Sequence, residues 1–351
     1  MNRAKKDTLL RLNKEYWENR TLLREVESEV KGLKISGEVL KVYDQALENI
    51  RKEINNIYSK YSDKTGLDVA EITRILDGVD RNKFVESIAV NMKRRGLKFE
   101  DYFDKGYIKR LTRLEALKQQ IYWEIQGIAP EITEIERKGF EKMIRDSYRT
   151  AKTDLRNQTG GSTSFNDLDT KVVEKIMNSR WVNGNYSSRT FANIDNFALQ
   201  ARDIIGGGLS TGISLEKMSR QVRDAFGVAK YEATRLVRTE TGYFHNQVEL
   251  QSYKDEGVEY YRLLVVLDGR TSDICLDLAE DDRIYKTSEI EVGENYPPFH
   301  PNCRTVPEVV FPNELIGKEV LDLQENTDDS MFSEIYETSI QGLESQGWKR
   351  R

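Results

Sequence analysis

Apolar residues at alternating spacings of three and four open the chain. Leu9, Leu12, Tyr16, Leu23, Val26, Val30 and Leu33, with Asn19 the one polar member of the series, predict a helix with a narrow apolar seam. A second series, Leu40, Tyr43, Leu47, Ile50, Ile54, Ile57 and Tyr61, keeps the period but joins the first only through a phase shift near Gly37. Because Ser36-Gly37 can end one helix and begin another, the pattern predicts an antiparallel helical hairpin whose two seams bury against each other. A partner-facing coiled coil is the alternative use of such stripes.

Further along, Leu67 to Leu76 and Phe84 to Met92 predict shorter helices. Tyr107, Leu111, Leu114, Ile121 and Ile125 mark a long one that Pro130 terminates, and another spans Glu131 to Leu155. The aperiodic run from Asn157 to Ser164 reads as a linker. It divides the chain into a helical region (1–156), a second module (165–311) and a tail (312–351) that ends Trp348-Lys349-Arg350-Arg351 and is expected to be partly disordered or ordered by a partner.

In the second module, Val172 to Met177 and a stretch leading to Gly206-Gly207-Gly208 are helical, with the glycines as a flexible helix end. Ser214 suits an N-cap and Glu216 the first turn; that helix runs through Ala225 and the next from about Ala229 to Tyr253. Strand character appears only in Tyr260–Leu267 and Arg304–Phe311, where Pro307 makes the second an edge or broken strand. The fold class is therefore α+β and predominantly α-helical: a long N-terminal hairpin or bundle, a helical segment, and a small β-sheet module.

The chain of 351 residues is 38% hydrophobic and 32% charged, with a mean hydropathy of -0.66, which suits elongated helices with much solvated surface. No stretch approaches the roughly 20 apolar residues that cross a bilayer. The first residues also lack the apolar region of a signal peptide, so a protein made and kept in a cytoplasm is expected. A net charge of -5 argues against a surface that coats nucleic acid throughout, leaving only local basic patches such as Lys93-Arg94-Arg95 and the C-terminal Lys349-Arg350-Arg351 for an accessory DNA-binding role.

The chain holds two histidines and two cysteines, and all four, His245, Cys275, His300 and Cys303, fall in one stretch. Imidazole and thiolate are the preferred ligands of zinc, and two of each would close a tetrahedral structural site. The short spacing of His300-Pro301-Asn302-Cys303 lets one turn supply two ligands. Two buried thiols with hydrogen-bonded histidines would use the same residues without a metal, and a Cys275–Cys303 disulfide would suit an oxidising compartment.

Arg238, Glu240, Asp268, Arg270, Thr271 and Arg304 lie around this cluster. They fit ion pairs and turn hydrogen bonds that lock a loop. An enzyme, a transferase or nuclease using Arg238, Glu240 and Asp268, is the competing reading, although the His-x-Glu and Pro-Cys-x-x-Cys segments of zinc deaminases do not occur.

Three motifs in order carry a resemblance: Leu236-Val237-Arg238-Thr239-Glu240 with His245-Asn246, then Asp268-x-Arg270-Thr271-Ser272-x-x-Cys275, then Asn295-Tyr296-Pro297-Pro298-x-His300-Pro301-Asn302-Cys303-Arg304. Over roughly Phe165 to Phe311 the chain resembles the phage-Mu-F-like minor head proteins. That resemblance implies a non-enzymatic virion protein in head morphogenesis, located in the head at the portal vertex. Its partners would be the portal and other head proteins, and double-stranded phage DNA at entry or exit. Some relatives carry a toxin domain after the shared module; the forty residues after Phe311 are too few for one.

Overall fold

The computed structural model describes residues 3–58, 81–103, 112–159, 162, 166–181, 184–267, 271–281 and 283–311. Helices dominate them, with one small antiparallel sheet, in keeping with the α+β reading. The helices are α1 (Arg3–Tyr58), α2 (Arg81–Arg94), α3 (Phe99–Tyr102), α4 (Arg113–Gln126), α5 (Ala129–Thr159), α6 (Thr170–Met177), α7 (Tyr186–Thr211), α8 (Leu215–Glu256) and α9 (Asp273–Asp281). The strands are β1 (Tyr260–Val265), β2 (Ile284–Lys286) and β3 (Thr305–Val310). The predicted helix at Leu67 to Leu76, the positions Tyr107 and Leu111, and the tail 312–351 lie outside the described residues.

Two compact units interleave along the chain. One takes Met1–Ile35, Lys138–Arg180 and Val237–Arg351; the other takes Ser36–Arg137 and Trp181–Leu236. The aperiodic run at 157–164 thus belongs to a segment of the first unit.

Helix α1 runs unbroken through Ser36-Gly37, so the expected hairpin turn there is absent. A lone glycine costs a helix only about 1 kcal/mol against alanine, too little to break it where the neighbouring Ile35, Ser36 and Val39 are buried. The phase shift in the apolar pattern has another origin: it falls where α1 leaves one unit for the other, so its two halves bury different faces. In the second half the expected seam is buried at Tyr43, Leu47, Ile50 and Ile54. In the first half Leu23, Val26 and Val30 are only half-buried, and the deepest line runs through Trp17, Thr21, Arg24 and Ser28.

Thr112 and Glu115 form a capping box at the start of α4: Glu115 N donates to the Thr112 hydroxyl and Thr112 N to the Glu115 carboxylate. Pro130 does not terminate this helix. It sits in the first turn of α5, where a missing N–H breaks no helical bond. Gly206 and Gly208 lie inside α7, not at a flexible end; a Cβ at Gly208 would come within 2.6 Å of the Met218 methyl and 2.8 Å of Ile213, so those side chains would have to shift. The helix stops at Gly212, whose φ of 68° is left-handed. Ser214 caps α8 as expected, accepting from Lys217 N at 3.3 Å. The expected break between Ala225 and Ala229 is absent, because Phe226, Ala229 and Ala233 are all buried on a continuous face.

The second unit packs Tyr43 and Ile50 of α1 with Ile121 of α4, Phe197 of α7 and Phe226 of α8. Within this unit Glu136 is 1% exposed and its carboxylate accepts a hydrogen bond from the Thr190 hydroxyl at 2.8 Å. Burial pushes the carboxyl up to about 8, against the opposing pull of Thr190. Since the folded value lies above the unfolded 4.5, the group's contribution to stability is complete below pH 4.5 and is lost as pH rises to about 8. Glu136→Gln keeps an acceptor for Thr190 but cannot ionise. It is expected to match the parent at low pH and to exceed its stability at pH 8, the difference growing by up to about 1.4 kcal/mol per pH unit. Chemical denaturation at several pH values reads this directly.

In the first unit the sheet order is β2-β1-β3. The two strands expected from the sequence do pair, antiparallel, with Tyr260 opposite Val310 and Val265 opposite Thr305. Pro307 therefore lies on an edge strand. Tyr253, Tyr261 and Tyr296 pack with Trp17, Leu250 and Val309 to seat the sheet. Their hydroxyls donate to the carbonyls of Pro307 at 3.0 Å, Asn295 at 2.9 Å and Asn246 at 2.7 Å, so all three tyrosine hydroxyls are paired.

Candidate metal centre

The segment from Tyr296 to Thr305 turns back sharply before β3. Cys303 N donates to the His300 carbonyl at 3.2 Å, closing the turn, and Asn302 supplies its left-handed residue with a φ of 61°, which asparagine tolerates better than most. Helix α8 seats the turn. Asn302 N donates to the Thr239 hydroxyl at 3.2 Å, and Gly242 admits the backbone, since a Cβ there would lie 3.2 Å from the Cys303 carbonyl oxygen.

This turn faces α9, and the ligand atoms of Cys275, His300 and Cys303 come within 4.8 Å of one another. Cys275 is presented by the first turn of α9, where its N–H donates to the Ser272 hydroxyl at 3.3 Å. The His300 ring stands 3.1 Å from the Cys275 sulfur through Nε2 and 2.8 Å from the Pro301 carbonyl through Nδ1. A carbonyl only accepts, so Nδ1 carries a proton toward Pro301, leaving Nε2 facing the Cys275 sulfur. The two sulfurs are 3.8 Å apart. Two thiolates on one tetrahedral zinc, each bonded at about 2.3 Å, are separated by about 3.8 Å.

The Cys303 thiol, with Thr305, Ser272 and His300, holds Cys275 as the thiolate, its pKa pulled down to about 4 against the effect of burial. The same interaction, with burial, pushes Cys303 up. The Thr305 hydroxyl donates to the Cys275 sulfur at 3.2 Å, an outer hydrogen bond of the kind that orients a metal-bound thiolate. The Cys275, His300 and Cys303 group could hold a metal ion.

His245 stands outside that group. It is 2% exposed on α8, its Nε2 3.9 Å from a carboxylate oxygen of Glu249. Burial, with Arg24 and Lys31 nearby, brings its pKa down to about 3, so the ring is neutral. Three of the four expected ligands are thus brought together, and the fourth, buried on α8, is not in the group.

Sequence reasoning missed the part α1 plays. Arg24, 4% exposed, donates to both oxygens of Glu249 at 2.8 and 3.1 Å and to Asp154 at 2.8 Å, a buried ionic triad. Arg304, next to the metal group, donates to both oxygens of Glu25 at 2.9 and 3.0 Å and lies 3.2 Å from Glu29. Arg304 is thus tied to α1. Thr271 anchors that loop by donating to the Val266 carbonyl at 3.2 Å. Glu240 is buried on α8, whereas Asp268 and Arg270 lie outside the described residues. A signal did exist: Thr21, Arg24, Glu25, Ser28 and Gly32 continue, at helical spacing, the line that Trp17 begins.

Residues 200–308 match the family model described as Phage Mu protein F like protein. No curated protein and no solved structure shows significant similarity to the chain. The matched stretch contains the C-terminal part of α7, all of α8, the 296–305 turn and all three members of the candidate metal group.

Proposed function

We propose that this chain is a structural minor head protein of a bacteriophage, acting in head morphogenesis at the portal vertex and in DNA packaging or ejection there. The observation that carries the reading is the Mu F-like region at residues 200–308. Residues 165–311 form the head-protein module and the helical region 1–156 docks on the portal or another head protein. The long α1 supports this, because a helix of 56 residues can present a long stripe to a partner. Among the described residues no helix is long and apolar enough to cross a membrane.

Zinc at Cys275, His300 and Cys303 clasps α9 to the turn before β3. Two thiolates and an imidazole favour this ion, and a sheet of three short strands gains stability from such a clip. The role is structural: Arg238, Glu240, Asp268, Arg270, Thr271 and Arg304 serve to hold helices and loops together.

Mass spectrometry of gradient-purified particles of the phage that encodes this chain tests the reading. A few copies per head, with malformed or empty heads when the gene carries a nonsense mutation, are expected. Absence of the chain from assembly intermediates and finished particles alike would sink the proposal.

A further inference from the structure

We infer that Cys275 and Cys303 are a redox-modification site as well as metal ligands: hydrogen peroxide joins them in a disulfide that takes over the clasp as zinc departs. The inference rests on the zinc clasp proposed above at the same residues. The chain has two cysteines, and their sulfurs stand 3.8 Å apart. A disulfide bond is about 2.05 Å long, so the pair has only a short gap to close.

One arm of the pair is lightly held. Of the side chains described in α9 only that of Cys275 is buried, while Ile274 is 53% and Leu276 44% exposed. A helix of nine residues does not persist on its own propensity. With so little apolar contact beneath it, α9 opens locally at small cost and uncovers Cys275. Beside that sulfur, Val265, Thr271, His300 and Thr305 line a space with room for about one water-sized molecule, and Cys303 does not border it. Peroxide is little larger than water, so Cys275 is the sulfur it meets first.

As zinc ligands both sulfurs are thiolates. Cys275 Sγ attacks one peroxide oxygen, forming an S–O bond and breaking the O–O bond, and the hydroxide that leaves takes a proton from solvent to become water. Cys303 Sγ then attacks Cys275 Sγ, forming the S–S bond and breaking the S–O bond, and the second hydroxide likewise becomes water. The two sulfurs give up two electrons, which peroxide gains. Zinc goes to solvent with its charge unchanged, and His300 is left free. With the partner sulfur this near, the sulfenic acid on Cys275 is captured before a second oxidation. A head protein assembled in a reducing cytoplasm and carried outside the cell passes between the two conditions, and the disulfide keeps α9 tied to the turn before β3 in the second.

Treating the full, zinc-loaded chain with a modest excess of hydrogen peroxide tests this. Free thiols are expected to fall from two to none, with the zinc released, a mass lower by two hydrogens, and a peptide linked through Cys275 and Cys303. Hydrogen exchange in the oxidised chain should then be indifferent to a chelator, and a reductant with added zinc should restore the starting form. Sulfinic acid in place of the disulfide, a disulfide between two chains, or thiols that persist would overturn the inference, whether or not zinc is bound. A chain isolated without zinc whose thiols still pair would remove the metal and support the disulfide site, so the two readings fail separately.

Discussion

Serine in place of Cys303 is expected to destabilise the first unit by more than about 4 kcal/mol, the range reached when a metal site is lost. Hydrogen exchange should then show lost protection in β1, β3 and the C-terminal half of α8, which contact or flank the turn. A strong chelator is expected to do the same to the parent protein and to add nothing to Cys303→Ser. The comparison separates a clasp from a pair of packed thiols. Without a metal, the substitution removes only the contacts of one buried sulfur, a loss nearer 1–2 kcal/mol, and the chelator leaves the exchange pattern untouched.

Arg24→Leu should have an effect of similar size by a different route. The substitution removes the cation that Asp154 and Glu249 share, at 4% and 1% side-chain exposure; Asp154 keeps Arg20, Glu249 loses its guanidinium, and breaking one member of such a network costs about 3–5 kcal/mol. Burial already raises Glu249, against the pull of Arg24. Removing the guanidinium lifts it further, so the missing stability grows as pH rises and shrinks as the carboxyl is protonated. Urea unfolding at acid and at alkaline pH is expected to show a larger gap from the parent at the alkaline value. A gap that is constant or reversed would mean that Glu249 is not the group left uncompensated.

These two sites differ in how far they can be read from sequence. The His300-Pro301-Asn302-Cys303 turn is local: its spacing, its prolines and the left-handed asparagine sit within a few residues, and the structure adds that Cys275, also expected from the sequence, reaches it from α9. The two main strands were equally legible, because aromatic and β-branched runs with a proline at an edge leave little alternative. Arg24 and Glu25 are not local. Their partners lie 130 or more positions away, and nothing near them in the chain distinguishes a buried ionic stripe from a solvated one. Gly206 and Gly208 misled for a related reason: a glycine reads as a breaker until the side chains packed against it are known, and that packing is tertiary. Gly37 has open space around it, and its buried neighbours carry the helix through. The phase shift near Gly37 was a true signal of a different event, the passage of one helix from one compact unit to another.

His245 shows the same limit for chemistry. Histidine and cysteine together suggested four ligands, yet helix α8 turns the imidazole toward Glu249 and a polar cavity. Residue type alone does not say which face of a helix a side chain takes.

X-ray absorption at the zinc edge on the full chain, purified without added metal, bears most directly on the clasp. One zinc per chain with two sulfurs at about 2.3 Å and at least one imidazole nitrogen at about 2.0–2.1 Å is the expected spectrum. A protein that folds with no bound metal, or whose zinc shows no sulfur shell, would contradict it.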